Sequence, residues 1–360
     1  MNAFSTNKLP GRTVSTQSTE YLWFSGTDYL GMAHNEAFRS YLQEGLSKFG
    51  MHFGSSRNGS LQLSIFEEAE RAFSAFTNTQ SALLVSSGMW AGQLVMKEIE
   101  NIVHTSVSSQ SFKYHYAPKV HPALWGKDYL SNKQSWNEWT AETVSHINEG
   151  TTNITHIICS DAIGSPLVEA FDFSFFGQIE NLSNVWLIID ESHSLGVLGS
   201  KGDGIASGLP PNIRHKTIFV SSLNKALGIP GGAVYGSQEV IDTIRRSPWF
   251  AGASPTAPAY ISAFNQLLAH DIYIVANRYL KSQISYFSQK LGESSLFKTV
   301  ADYPVFCSQN LNLFEYLLDN GVMASFFSYP SPTDPPITRI AISTLHQKED
   351  LDHLAEVCLK

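Results

Sequence analysis

Charge is scarce in this chain. Only 16% of its 360 residues are Asp, Glu, Lys or Arg, where a soluble domain usually carries about a quarter. Little surface is therefore built for water, which predicts a subunit that pairs with a second copy of itself. Positive charge is the scarcer sign. Lys and Arg number 24 against 32 Asp and Glu, for a net charge of -8, and they are scattered. Without a basic stretch there is no counterion release to reward a phosphate backbone, so nucleic acid is excluded as a partner. Cysteine is nearly absent: Cys159, Cys307 and Cys358 are odd in number and far apart. That rules out a disulfide scaffold and any C-x-x-C zinc or redox pair, so no metal site is expected, and it suits a reducing, cytoplasmic compartment. Nor is there a long unbroken apolar run. The longest uncharged stretch, Ser247 to Ala269, contains Pro255, Pro258, Asn265 and Gln266, a poor membrane span. Residues Met1 to Thr19 are polar and lack the apolar segment of a secretory leader.

What is present is 43% apolar residues over a length suited to two domains. Between about residues 60 and 236, helical spacings alternate with short β-branched runs, the pattern of an α/β fold with a mostly parallel sheet. The predicted strands are Ala82 to Val85, Ile99 to His104, Ile154 to Cys159, Val185 to Asp190, Thr217 to Ser221 and Ala233 to Tyr235. Helices are predicted at Leu63 to Phe76 and from Gly88 into Glu98. After Pro255 one long helical stretch, Ala259 to about Leu291, precedes strands near Val305, Met323 and Arg339 to Ser343 and a last helix, Lys348 to Leu359. We expect a large domain at 51–250, a smaller α/β domain at 251–360, and an N-terminal segment, 1–50, packed on the small domain or a partner subunit.

Ligands of parallel sheets bind beyond the strands' carboxyl ends, so the residues that follow each strand are the candidates. They are Ser87, Gly88 and Met89; Ser160 and Asp161; Asp190, Glu191, Ser192 and His193; and Ser221 to Lys225. Lys225 is a lone cation among small and apolar neighbours. Desolvated there, its amine would become a nucleophile or Schiff-base former, although most lysines merely snorkel at the surface. Asp190 ends a strand of almost pure hydrocarbon and needs a cation or donor to meet it. It could hold the proton on a pyridinium nitrogen, as pyridoxal phosphate (PLP) requires, or simply cap a helix. Glu191 would face the other side of the strand. Ser87, Gly88 and Met89 stand where amides at a helix start can face a phosphate. His121 could stack on a flat ring or be a filler.

These residues resemble fold-type I PLP-dependent transferases, specifically the α-oxoamine synthase family. The resemblance rests on Phe24 to Met32, Phe53 to Gly59, Leu83 to Met89, Asp190 to Gly199, Ser222 to Gly228 and Arg339 to Ser343, in order and spacing across nearly the whole chain. It implies a large domain with a mostly parallel seven-stranded sheet and a smaller C-terminal α/β domain. It also implies Lys225 as the Schiff-base lysine, Asp190 on the pyridine nitrogen, His193 near the ring's phenolic oxygen and His121 stacked on the ring. Gly88, Met89 and Ser222 would take the phosphate, Asp161 and Ser165 would line the ring pocket, and Arg339 would grip the carboxylate of the amino-acid substrate.

The activity implied is condensation of an amino acid with an acyl-CoA thioester to an α-aminoketone, as in 8-amino-7-oxononanoate synthesis on the way to biotin. The chain departs from the family at Thr27, where Asn is usual, at Asp161, where Glu is usual, and at Asn224, where Ser, Thr or Gly is usual. Ala251-Gly252-Ala253 stands in place of a Ser/Thr pair that reaches the neighbouring subunit's phosphate. These departures leave an aminotransferase or another amino-acid enzyme as the alternative. Ser222-x-x-Lys225 also matches the S-x-x-K of serine acyl enzymes, but their S-D-N and K-T-G are absent.

Overall fold

The computed structural model describes all residues except 1–3, 17–18, 107–110, 151–152 and 330. Five of these, 1–3 and 17–18, fall in the polar Met1 to Thr19 stretch.

The larger sheet has six strands among the described residues, in the spatial order Ser81–Val85, Gly232–Gly236, Thr217–Ser222, Val185–Asp190, Ile154–Asp161 and Ser111–Tyr116. Only Gly232–Gly236 runs against its neighbours. The other five share one direction and so deliver their carboxyl ends to one rim. Val185–Asp190 is buried along its whole length, as a strand covered by helices on both faces must be.

Three predictions change. Ile99 to His104 is not a strand but the second half of the helix Gly88–Ser106. Ala91, Leu94, Val95, Ile99, Ile102 and Val103 are all buried and recur every three or four residues, so the β-branched residues form one helical stripe. The strand that takes the edge of the sheet instead is Ser111–Tyr116, and the sheet has six strands rather than seven. The stretch Ala259 to Leu291 is two helices, Pro258–Ala269 and Ile272–Leu291. Asp271 between them has φ 57, a left-handed residue that ends one axis and starts another.

A second six-stranded sheet combines both chain ends, in the order Thr13–Thr16, Thr19–Phe24, Val322–Phe327, Ile337–Ala341, Val305–Ser308 and Lys298–Thr299. Thr19–Phe24 runs parallel to Val322–Phe327. The next helix, Glu36–Phe49, lies against Pro258–Ala269 at Gly45, where a Cβ would stand 2.6 Å from the Ala259 carbonyl oxygen. The final helix, Lys348–Leu359, is as the sequence predicts. His346 stacks on Phe24 with ring centroids 3.9 Å apart, so the N-terminal arm is bolted to the C-terminal sheet. Among the described residues no helix is long and apolar enough to cross a membrane.

Candidate active site

Between the rim of the large sheet and the second sheet lies a cavity of about 240 Å3. Lys225, Asp190, Asp161, His121, His193 and Ser165 line it, and Arg339 enters from the strand Ile337–Ala341. Seven of the eleven predicted site residues thus meet in one place. The other four, Ser87, Gly88, Met89 and Ser222, do not line this cavity. They gather just beside it: a Cβ on Gly88 would lie 2.5 Å from the Ser222 Cβ, so only glycine lets the helix Gly88–Ser106 start against the end of the strand Thr217–Ser222. Ser87 Oγ accepts from the Trp90 amide at 3.1 Å and caps that helix.

Asp190 and Asp161 are register partners on adjacent parallel strands, which sets two carboxylates side by side. Asp190 is buried, and its Oδ1 accepts from the Ser192 amide at 2.8 Å. Its Oδ2 lies 3.8 Å from His121 Nδ1. His121 Nδ1 itself accepts from the Ala123 amide at 3.2 Å, and the His121 amide donates to Asp161 Oδ1 at 3.3 Å. Burial, with Asp190 beside it, pushes Asp161 well above the usual carboxylate range. Burial likewise lowers His121, against the pull of Asp190. His193 is pushed well below the imidazole range, by burial first and then by Lys225 and Arg339. Lys225 is lowered by burial, which outweighs the attraction of Asp190 and Asp161. Its Nζ makes no hydrogen bond or ion pair among the described residues. Glu191 does face the other way: buried, it accepts from the Tyr235 hydroxyl and the Ile205 amide, and burial raises it to about 7.

The donor set fits PLP. A half-buried amine without a partner stands beside two carboxylates and an imidazole, and first-turn amides of a 19-residue helix lie next to Ser222. Across the cavity the buried Arg339 Nε has no hydrogen-bond partner among the described residues, and its guanidinium carbon sits 5.2 Å from the Phe327 ring centroid. An orphaned guanidinium N–H is a site for an anion. Thr27, Ile163, Ser192, Phe327 and Tyr329 complete the lining. Thr27 and Ser192 lie inside the stretches Phe24 to Met32 and Asp190 to Gly199 that carry the resemblance. Phe327 ends a strand of the second sheet and Tyr329 lies two residues beyond it, away from the strand ends of the large sheet.

Fold and cavity together define an α/β enzyme of the PLP-dependent transferase class. Residues 19–357 match the family described as aminotransferase class I and II, and the chain belongs to that family. It is similar to the 8-amino-7-oxononanoate synthase of Petrotoga mobilis, with 24% identity covering 95% of this chain and 88% of that one. Its fold is similar to that of SPT with PLP as its internal aldimine, with a TM-score of 0.81, 16% identity and 99% and 91% of the two chains covered. It is also similar to that of 8-amino-7-oxononanoate synthase from Francisella tularensis, with a TM-score of 0.69, 19% identity and 94% and 96% covered.

Proposed function

We propose that the chain is a PLP-dependent acyltransferase of the α-oxoamine synthase type, joining an amino acid to an acyl-CoA thioester and releasing an α-aminoketone and CoA. The observation that carries this reading is the convergence of Lys225, Asp190, Asp161, His121 and His193 on one cavity with Arg339 opposite. The relatives named 8-amino-7-oxononanoate synthase support the branch.

PLP, when bound, supplies an aldehyde for an amine and an electron sink. Lys225, its pKa lowered by burial, is the amine for that aldehyde, and when free it carries a proton to and from the substrate α-carbon. Asp190, oriented by the Ser192 amide, would hold the pyridine nitrogen and keep it protonated. His121 would cover the ring, with Asp161 and Ser165 in the pocket wall. His193 would serve the phenolic oxygen. The amides of Gly88 and Met89 and the Ser222 hydroxyl would hold the phosphate. Arg339 receives the amino-acid carboxylate in a bidentate fork.

The low charge content and the exposed Met51, Leu61, Met89 and Trp249 support a homodimer with domains at 51–250 and 251–360 and an N-terminal arm at 1–50. Of the four departures, Asn224 is exposed, Ala251-Gly252-Ala253 does not line the cavity, and Thr27 and Asp161 do, so two of the four bear on substrate choice. They favour an aminotransferase as the second reading. The S-x-x-K reading gains no support: Ser222 Oγ accepts from the Asn224 amide at 3.3 Å and does not line the cavity with Lys225. Purified protein given PLP, glycine, alanine or serine, and a panel of acyl-CoAs should release free CoA with at least one pair. No release across the panel, with amino-group transfer to a 2-oxo acid instead, selects the second reading.

A further inference from the structure

His193 is held from behind by two phenols that come from opposite ends of the chain, one at its imidazole and one at its backbone carbonyl. The Tyr29 hydroxyl lies 3.4 Å from His193 Nδ1, and the Tyr303 hydroxyl donates to the His193 carbonyl at 3.1 Å. Both tyrosines are only 1% exposed, too deep to serve as ligand-binding surface. Their rings meet edge to face with centroids 6.2 Å apart, and the Tyr29 oxygen is within hydrogen-bonding reach of Tyr303. Tyr29 is itself fixed by its backbone, whose carbonyl accepts from the Thr344 amide at 3.0 Å. So one side chain of the large-sheet rim is positioned by the N-terminal arm and by the second sheet's approach at once.

We propose that Tyr29 is a positioning residue that sets the tautomer of His193. Its hydroxyl donates to Nδ1, which leaves the proton on Nε2 and makes that nitrogen a donor toward the cavity. The reverse relay, with Nδ1–H donating to Tyr29 and Tyr29 to Tyr303, would also leave every group paired, so the tautomer is what separates the two. His193 is kept neutral by burial and by the cations Lys225 and Arg339, and a neutral imidazole has one donor and one acceptor nitrogen. A buried phenol has one proton to give, and the Tyr29 hydroxyl faces two acceptors, His193 Nδ1 at 3.4 Å and the Tyr303 oxygen. Tyr303 spends its proton on the carbonyl side, with the Tyr29 oxygen as second acceptor, which leaves Tyr29 free to donate onward. A donor at Nε2 suits an oxygen with partial negative charge, such as the phenolic oxygen assigned to this place above. The inference rests on that assignment only for what Nε2 meets, not for the tautomer.

The test is nitrogen NMR of protein carrying labelled histidine, read with and without PLP and with no substrate present, so it stands apart from whether acyl transfer occurs. In the unaltered protein, Nδ1 of His193 should show an unprotonated and Nε2 a protonated shift. Tyr29→Phe should move the ratio of the two forms toward Nδ1–H by about fivefold, the equilibrium equivalent of one neutral hydrogen bond. Tyr303→Phe, which leaves the Nδ1 donor in place, should not. In the PLP-loaded protein, Tyr29→Phe should also shift the pH midpoint of the visible absorbance, while Tyr303→Phe leaves it. A protonated Nδ1 in the unaltered protein overturns the proposal whether or not a variant folds, and so does a Tyr29→Phe protein with an unchanged ratio.

Discussion

Two of the buried clusters of charge among the described residues are built on opposite principles. Around Glu70 every group has a partner. Arg57 donates to both carboxylate oxygens at 2.8 and 3.2 Å, Arg245 adds a contact at 2.9 Å, and the Leu84 amide donates to Oε1 at 2.9 Å. The Arg57 guanidinium also lies over Phe66, 4.2 Å from its centroid. Around Lys225 the amine has no bonded partner, Asp161 and Asp190 press on each other, and Arg339 Nε is orphaned. Charge completed by its own chain staples a fold; charge left incomplete waits for something from outside. The first cluster ties Arg57 of the loop before the helix Ser64–Phe76 to the strand Ser81–Val85. In the second, at the strand ends, the carboxylates take backbone amides but the Lys225 amine ties nothing among the described residues.

The sharpest way to break this contrast is to remove Glu70. Glu70→Ala strands two guanidiniums, one of them on the buried Arg57, and should cost about 3–5 kcal/mol in urea unfolding, the usual cost of breaking a buried pair from one side. A loss under about 1 kcal/mol would mean that water reaches the cluster and that it is no staple. Lys225→Ala should do the reverse. It removes a desolvated amine, so the PLP-free protein should unfold at the same or a higher denaturant midpoint, while the visible band that PLP gains on bonding to this lysine disappears from the loaded protein. A marked loss of stability, or a band that survives, would place Lys225 among the structural charges.

Much of this arrangement could be read from residues in a row. Val185–Asp190 is hydrocarbon up to its last residue, so both its burial and the oddity of its terminal carboxylate are visible in the sequence. Lys225 is conspicuous because its neighbours carry no charge. Ile99 to His104 misleads because a short β-branched run looks the same in a buried strand and in a buried helix. Ser111–Tyr116 hides because its burial alternates between exposed and partly covered positions, so it shows no apolar run. Tyr29 and Tyr303 read as core anchors. Their hydroxyls matter through direction, and direction arises only when segments 274 residues apart fold onto one histidine. Phe327 ends a strand of the second sheet and Tyr329 lies just beyond it, so no census of the first sheet's strand ends could find them.

The smallest test probes the incomplete cluster from inside. Asp161 and Asp190 face each other across one register, and burial together with Asp190 raises Asp161 well above a carboxylate's usual range, with Lys225 opposing. A carboxyl group raised on folding binds its proton more tightly in the folded than in the unfolded chain. Its contribution is therefore fully present below the unfolded pKa of about 4 and is lost as pH rises through the folded pKa. Asp161→Asn keeps the shape and cannot ionise. In PLP-free protein the variant should match the parent's urea midpoint near pH ~4 and exceed it near pH ~8, by less than the Glu70→Ala loss. Equal midpoints at both pH values would mean that Asp161 titrates as an ordinary surface acid. A lower midpoint for the variant near pH ~8 would mean that the ionised carboxylate is already serving Lys225 as Glu70 serves Arg57, and the distinction between the two clusters would then fail at this residue.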